Sequence, residues 1–185
     1  MNTQKDTDYL PELITEKLRL RPVINDDAKD IYIYASNPDV TRFVAWEAHT
    51  SMEFTRKYLA FIIREYKKKK LYDWGICLKK ENRVIGSCGF ARIDKRNNFG
   101  EIGFVLSPEY WNKGITTEAV KEVVKFGFCK LKLGRIEAVC MAENTASEKV
   151  LQKSGMTYEG TLKNRIRKRE KYFDAKLFAA RNPSV

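Results

Sequence analysis

The sequence of 185 residues contains one histidine, His49, and its four cysteines form no Cys-x-x-Cys pair. Protein zinc sites need three or four His and Cys ligands at close spacings, so these counts argue against a metal site. Each cysteine lies in an apolar segment, and we expect all four to be buried, reduced thiols: Cys77, Cys88, Cys129 and Cys140. We expect His49 to be a surface residue rather than a catalytic base.

Long apolar runs are also missing. No stretch approaches the roughly 20 apolar residues that a membrane-spanning helix requires. The segment 1–10 is polar and lacks the basic, apolar and cleavage regions of a signal peptide. These features favour a cytoplasmic protein with no membrane partner. A content of 43% apolar residues fits one folded domain over 1–185.

Acidic residues are outnumbered by basic ones, 24 against 35, which gives a net charge of +11. The excess is concentrated at 67–70 and 163–171. Such charge can attract a nucleotide-like cofactor, an acidic protein or RNA, or it can form a solvated surface. Neither run carries the interleaved aromatic residues of a single-strand-binding platform, so nucleic-acid binding is not expected as the primary function.

Apolar periodicity predicts eleven elements in the order β-α-α-β-β-β-α-β-α-β-β. They are strands at 18–23, 72–78, 84–93, 101–106, 135–141, 156–162 and 171–180, and helices at 28–35, 51–69, about 115–131 and 147–153. The second helix is expected to present Phe54, Tyr58, Ile62 and Tyr66, and Gly134 is expected to cap the third. The two closing strands are expected to pair across a basic turn. Early hairpins and a late βαβ unit predict a mixed α/β sheet covered by helices.

The segment 110–119 joins a predicted strand to a helix N-terminus. A helix start presents unpaired backbone N–H groups and the positive end of a dipole. Gly114 allows close approach of a ligand, Thr116 and Thr117 add hydroxyl groups, and Lys113 adds charge. The segment can therefore cradle a pyrophosphate, although an ordinary capped helix has a similar pattern.

The same segment resembles the acyl-CoA loop of GNAT N-acetyltransferases. In the ribosomal-protein N-terminal acetyltransferase (RimJ/RimL-like) branch, the loop reads approximately Tyr-Trp-Gly-Lys-Gly-Tyr-Ala-Thr-Glu-Ala. Seven positions match this form: Tyr110, Trp111, Lys113, Gly114, Thr117, Glu118 and Ala119. Asn112 and Thr116 replace small residues.

Further segments at 15–22, 101–106, 144–160 and 172–174 also resemble the branch, so the likeness extends over about 13–180. The sequence is identified as a member of the GNAT superfamily on this basis. The resemblance implies a single domain with a central, mostly antiparallel sheet, a parallel βαβ splay and flanking helices.

The resemblance also implies transfer of acetyl from acetyl-CoA to a primary amine by direct attack. No Cys has a His nearby in sequence and Gly-x-Ser-x-Gly is absent, which is compatible with a reaction that has no covalent enzyme intermediate. The branch suggests a protein N-terminal α-amine as acceptor, such as that of a ribosomal protein. A polyamine, an aminoglycoside and a non-catalytic acyl-CoA-binding module that contacts RNA remain open, as does a homodimer.

The chemistry requires a base for the amine and benefits from an acid for the leaving thiolate. Strand parity places Glu101 opposite Ile102, which makes Glu101 the candidate base, acting through a water; a half-exposed strand carboxylate is the alternative. By resemblance, Ser147 lies where a hydroxyl can reach the leaving sulfur. The Tyr acid that many GNAT enzymes have four residues later is Leu151 here.

The remaining site residues are assigned by resemblance. The backbone of Val105 and Leu106 is expected to meet the pantetheine arm, and Asn144 and Ser147 are expected to face it as well as to cap a helix. The diphosphate loop comprises Asn112, Lys113, Gly114, Ile115, Thr116 and Thr117. Trp46 is expected to form a wall of the acceptor side or else to pack in the core.

Overall fold

The computed structural model describes residues 10–184. Within this range the strands are β1 (Leu13–Ile14), β2 (Leu18–Arg21), β3 (Tyr72–Leu78), β4 (Val84–Asp94), β5 (Phe99–Leu106), β6 (Arg135–Met141), β7 (Thr157–Lys168) and β8 (Lys171–Arg181). The α-helices are α1 (Ala28–Ala35), α2 (Pro38–Thr41), α3 (Met52–Lys67), α4 (Ile115–Cys129) and α5 (Thr145–Lys153). None of these helices combines the length and the apolar character that crossing a membrane requires.

One mixed sheet organises the described chain, in the order β1-β2-β3-β4-β5-β6-β8-β7. Neighbours are antiparallel except β5 and β6, which α4 connects as a parallel pair. The predicted mixed α/β fold is therefore confirmed. Helix α4 packs on the face that carries Trp74, where the Phe126 ring lies 5.1 Å from the indole. The opposite face carries Asp73, whose backbone carbonyl accepts from the Tyr66 hydroxyl of α3 at 2.7 Å.

The central strands β5 and β6 separate along their length. They pair only where Phe99–Glu101 meets residues 135–137. Beyond that point β5 stays with β4 as far as Leu106, while β6 stays with β8 as far as Met141. A wedge therefore opens between the two strands, and it confirms the splay that the family resemblance implied.

Backbone groups of β5 project into this wedge. The Ser107 N–H donates to the Ile85 carbonyl at 2.8 Å, which makes this a hydrogen-bonded pair of the antiparallel ladder. Hydrogen-bonded pairs alternate along such a ladder, so Val105 also bonds towards β4. The N–H and C=O groups of Phe104 and Leu106 consequently face the wedge rather than β4.

Two short elements were not predicted, β1 and α2. Pro38 follows the end of α1 and begins α2. The Asn37 side chain accepts from the Asp39 N–H at 2.9 Å, and Pro at the first helical position needs no hydrogen bond. A four-residue helix and a two-residue strand are too short to generate a recognisable periodicity.

The predicted face of α3 is wrong in part. Ile62 and Tyr66 are buried, but Phe54 and Tyr58 are exposed, and the buried residues near the N-terminus are Thr55 and Leu59. A spacing of four residues advances about 40° beyond a full turn at each step, so a four-residue repeat drifts around the helix.

The predicted cap and turn near the C-terminal half also differ from the structure. Gly134 does not adopt a left-handed conformation after α4; Lys132 does, with φ of 56°. The basic segment is mainly strand rather than turn, because β7 continues to Lys168. An irregularity between Leu162 and Ile166 interrupts the pairing of β7 with β8. Because the register shifts there, the sequence does not show a continuous alternation of apolar and polar residues along β7.

Two predicted burial states are wrong. Cys129 is exposed, whereas Cys77, Cys88 and Cys140 are buried as expected. His49 is 7% exposed rather than a surface residue. Its Nδ1 lies 2.9 Å from the Thr55 hydroxyl, and its backbone N–H donates to the Ala35 carbonyl at 2.9 Å. These bonds hold the segment before α3 against α1 and α3.

Candidate active site

A cavity of about 830 Å³ lies where β5 and β6 separate. Its walls come from the end of β5, the start of α4, the start of α5, the segment around α2 and the turn between β1 and β2. The predicted residues that line it are Val105, Leu106, Asn112, Gly114, Ile115, Thr116, Thr117, Asn144 and Ser147. Residues from distant parts of the sequence thus meet at one place.

The start of α4 forms the end of the cavity suited to an anion. Asn112 and Gly114 both have positive φ, 59° and 76°, and Gly114 precedes the helix without a side-chain cap. The first helical hydrogen bond runs from Glu118 N–H to the Gly114 carbonyl at 3.0 Å. The N–H groups of Ile115, Thr116 and Thr117 therefore have no helical acceptor and lie at the positive end of a 15-residue helix.

Gly114 leaves this helix start open. A Cβ placed on it would meet no atom within 4 Å, so the space beside the backbone belongs to the cavity. Four basic side chains line the cavity, and four carboxylates balance their charge: Arg42, Lys121, Lys149 and Lys153 against Glu16, Asp39, Glu118 and Glu122. The attraction for an anion therefore comes from the helix start itself. An anionic group can therefore approach the backbone amides directly.

Glu118 has a structural role in the site. From the sequence alone, it has no role beyond matching the family's loop. Its Oε1 accepts from the Lys17 N–H at 2.8 Å and also from the Thr15 hydroxyl. These bonds tie the first turn of α4 to the turn between β1 and β2. An acidic residue in a first helical turn was the available signal, but its distant partners could not be read from the sequence.

Trp111 and Lys113 have roles within the loop. The Trp111 indole N–H donates to the Leu106 carbonyl at 2.8 Å, which occupies one of the acceptors that faces the wedge. Lys113 does not line the cavity; its Nζ lies 5.4 Å from the centre of the Tyr110 ring. Phe104, which the sequence prediction omitted as a site residue, lines the cavity and contributes free backbone groups.

The start of α5 forms the wall facing β5 across the wedge. The Asn144 side-chain oxygen accepts from the Ser147 backbone N–H at 3.0 Å, so the capping role is performed by Asn144 and the Ser147 backbone. Within residues 10–184 the Ser147 hydroxyl has no hydrogen-bond partner, and it lines the cavity. Leu151 is fully buried in the core, so no tyrosine acid is present at that position.

Glu101 and Trp46 do not line the cavity. Glu101 is partly buried on β5 and shares a face with Gly103 and Val105, and only Val105 of these three lines the cavity. Residues four apart on a strand are separated by roughly 13 Å, so Glu101 can act on a group near Val105 only through water. Trp46 is 37% exposed, and its ring centre lies 5.8 Å from that of His49. In the segment that was predicted to form the acceptor side, the residues that line the cavity are Arg42, Phe43 and Val44.

A splayed parallel strand pair with an open helix start beside it defines an acyl-CoA-binding transferase. Residues 17–157 match the family model described as acetyltransferase (GNAT) domain. The chain therefore belongs to the GNAT acetyltransferase family, and it is an acetyl-CoA-dependent N-acetyltransferase.

Individual relatives agree with the family. The chain is 32% identical over 173 residues to the Bacillus subtilis protein named uncharacterized N-acetyltransferase YoaA, covering 94% of this chain and 98% of that protein. A GNAT acetyltransferase structure from Bacillus anthracis has a TM-score of 0.83 at 29% identity and covers 93% and 99% of the two chains.

Two relatives carry names that specify an acceptor. They are the Escherichia coli ribosomal-protein-serine acetyltransferase, 26% identical over 90% of this chain and 93% of its own, and the Escherichia coli spermidine N(1)-acetyltransferase, 28% identical over 78% and 75%.

The cavity fits acetyl-CoA. The open side of Gly114 and the free amides of 115–117 suit the diphosphate, and the backbone of Phe104 and Leu106 in the wedge suits the amide-containing pantetheine arm. When bound, acetyl-CoA supplies an acetyl thioester that an amine can attack.

Proposed function

We propose that this enzyme acetylates the N-terminal α-amine of a protein or peptide. The observation that carries the proposal is an exposed aromatic surface beside the acceptor side of the cavity. Trp46, Phe54 and Tyr58 surround His49, with ring centres 5.8, 4.9 and 5.2 Å from the imidazole, and all three are more than one third exposed. Such a surface offers contacts to several residues of a polypeptide, whereas a small amine would leave it uncovered.

The chemistry of an α-amine also suits the site. An α-amino group titrates near pH 8 and a lysine amine near 10.4, so an appreciable fraction of N-termini is already neutral at physiological pH. A distant carboxylate that acts through water is then sufficient. The net charge of +11 disfavours a free polycation unless a local carboxylate compensates. The ribosomal-protein relative supports a protein acceptor.

Within this proposal, the residues have separate roles. The amides of 115–117 hold the diphosphate, and the backbone of Phe104 and Leu106 aligns the thioester arm. Glu101 receives the amine proton through water along the open face above Gly103. The Ser147 hydroxyl, free of other partners in the described chain, donates to the departing sulfur.

The test is an acetyl-CoA assay with a panel of N-terminal peptides, polyamines and aminoglycosides. Each peptide is paired with a copy whose α-amine is blocked and whose lysines are unchanged. We expect CoA release with the free peptides and none with the blocked copies. Turnover of polyamines or aminoglycosides without turnover of any peptide would assign a small-molecule acceptor instead.

Ser147→Ala is expected to lower kcat by roughly tenfold to a hundredfold, because the leaving thiolate loses the hydrogen-bond donor that stabilises its charge. Binding of acetyl-CoA and thermal stability should change little, since the α5 cap uses the Ser147 backbone N–H and the Asn144 side chain. Asn144→Ala is the matched control and should lower stability by about 1 kcal/mol through loss of the cap. If Ser147→Ala retains the wild-type kcat, its hydroxyl has no part in the chemical step.

A further inference from the structure

A carboxylate lies on the sheet face that α1 and α3 cover, next to the proposed acceptor side. Asp73 on β3 is directly opposite Gly89 on β4, and Gly89 is directly opposite Gly103 on β5. Opposite residues share a face, so the three form one row across the sheet. In the adjacent row of the same face, Val105 of β5 lines the cavity.

The two glycines keep this row open. A Cβ on Gly89 would lie 2.6 Å from the Asp73 Oδ1, so a side chain there would displace the carboxylate. A Cβ on Gly103 would meet nothing within 4 Å, and Gly103 is exposed although it lies in a central strand. The Asp73 carboxylate therefore occupies the space beside the buried Gly89, and the exposed Gly103 leaves β5 uncovered next to it.

Two phenols lie within electrostatic range of the carboxylate. Tyr34 of α1 is buried and Tyr58 of α3 is 38% exposed; burial raises the pKa of both phenols, and the charge of Asp73 raises it further to a smaller degree. Cys88 has its thiol pKa raised by burial and, to a smaller degree, by Asp73.

Asp73 lacks a cationic partner among the described residues. Burial raises the pKa of its carboxyl group to about 7, and the only opposing influence is a hydrogen bond from the Trp74 backbone. Asp73 is only partly buried, so a ligand can reach its carboxylate. In a protein of net charge +11, a carboxylate without a cation is unusual, and removing an unpaired charge from water is costly unless a ligand compensates it.

The chemistry of this group of residues suits a cationic nitrogen. An ammonium or guanidinium can donate a charge-assisted hydrogen bond to the carboxylate. Asp73 is two strands from β5, a separation of roughly 10 Å between backbones. An amine held at Asp73 is thus several bonds from an amine that reacts beside Val105.

We propose that Asp73 binds a second cationic nitrogen of the acceptor, several bonds from the amine that is acetylated. This inference rests on the proposed acetylation of an amine at the cavity, and it adds a specificity-determining residue. The cation can belong to a basic side chain near the start of a peptide or to a polyamine, and the two sources are separated by experiment.

The test compares wild type with Asp73→Asn on matched acceptor pairs. One pair is a peptide with Lys at its second position and the same peptide with norleucine there. The other pair is a linear diamine and the monoamine of equal length. Glu81→Gln is the control for net charge, because Glu81 is exposed in the turn between β3 and β4, at the opposite end of β3 from Asp73.

We expect Asp73→Asn to raise KM for the dicationic member of a pair by roughly tenfold or more, with the monocationic member and the control unchanged. Calorimetric titration of the doubly charged diamine in the absence of acetyl-CoA should show the same loss of affinity. In wild type this affinity should fall as pH falls through about 7, because the Asp73 carboxyl group is then protonated.

Folding does not confound the variant. The folded pKa of about 7 lies above the ordinary aspartate value near 4, so ionisation of this group opposes folding above pH 4. Asn removes that cost, and Asp73→Asn should melt at the wild-type temperature or higher. Equal KM changes for both members of each pair, or no change, would overturn the inference.

The two proposals can fail independently. If diamines are acetylated in an Asp73-dependent manner and no peptide reacts, the subsite stands and the peptide acceptor is wrong. If peptides react with no dependence on Asp73 or on Lys at the second position, the peptide acceptor stands and the subsite is wrong.

Discussion

Gly114→Asp is expected to leave a folded protein that binds acetyl-CoA roughly a hundredfold more weakly or worse, through repulsion between carboxylate and diphosphate. The side chain would project from the start of α4 into open space, because a Cβ on Gly114 has no protein atom within 4 Å. It would also block the approach to the free amides of 115–117. Bulk and charge therefore act together against the diphosphate.

Stability should fall much less than affinity. Gly114 has φ of 76°, a left-handed conformation that costs an ordinary residue about 1–2 kcal/mol and that Asp tolerates better than most. A carboxylate at a helix N-terminus partly offsets this cost by its interaction with the dipole. The protein itself presents no steric obstacle at this position.

Gly114→Asn is the matched control, since it has the same size and the same backbone strain without the charge. Calorimetric titration of acetyl-CoA together with thermal melts should rank affinity as wild type, then Asn, then Asp. Unaltered affinity in both variants would show that this loop does not bind the diphosphate.

Glu101→Gln is expected to lower kcat by roughly a hundredfold at pH 6, with a smaller loss at pH 9. At low pH the acceptor is an ammonium ion and needs a base, whereas at high pH it arrives neutral. Acetyl-CoA affinity should not change, because Glu101 lies outside the cavity that holds the diphosphate loop.

The control for this variant is Glu137→Gln. Glu137 is the neighbour of Glu101 in the parallel pair, but its carboxylate is bound by Arg135 at 2.6 Å. Its pH–rate profile should keep the wild-type shape. If Glu101→Gln keeps the wild-type pH–rate profile, Glu101 has only a structural role.

The sequence predicted the frame of this site well where the pattern was local. The turn ending at Gly114 and the helix after it carry a distinctive run of residues, and the cap at Asn144 is a short-range signal. The separation of β5 from β6 followed from the family resemblance. The loop and the cap depend on neighbours in the chain, which a sequence displays directly, whereas the separation of the strands does not.

The acceptor side was predicted poorly because it depends on the meeting of distant segments. Hydrogen bonds with Ala35 and Thr55 hold His49 in its buried position. Trp46 lies beside His49 and does not line the cavity. No pattern in the sequence marks Asp73 as a site residue, because its position opposite Gly89 is set by the register of β3 with β4. Register and helix rotation are tertiary properties that residue type alone does not specify.

Acetyl-CoA and the acceptor are proposed to meet at the wedge, with the diphosphate at the start of α4 and the acceptor on the sheet face that α1 and α3 cover. The most direct test of this arrangement is a crystal structure with a bisubstrate analogue, in which CoA is joined through an acetyl bridge to the α-nitrogen of a peptide with Lys at its second position. We predict the diphosphate at the amides of 115–117, the bridge beside Phe104 and Val105, and the peptide over Gly103 between Glu101 and Asp73. A diphosphate bound away from the start of α4, or a peptide leaving the wedge on the α4 face, would contradict the account.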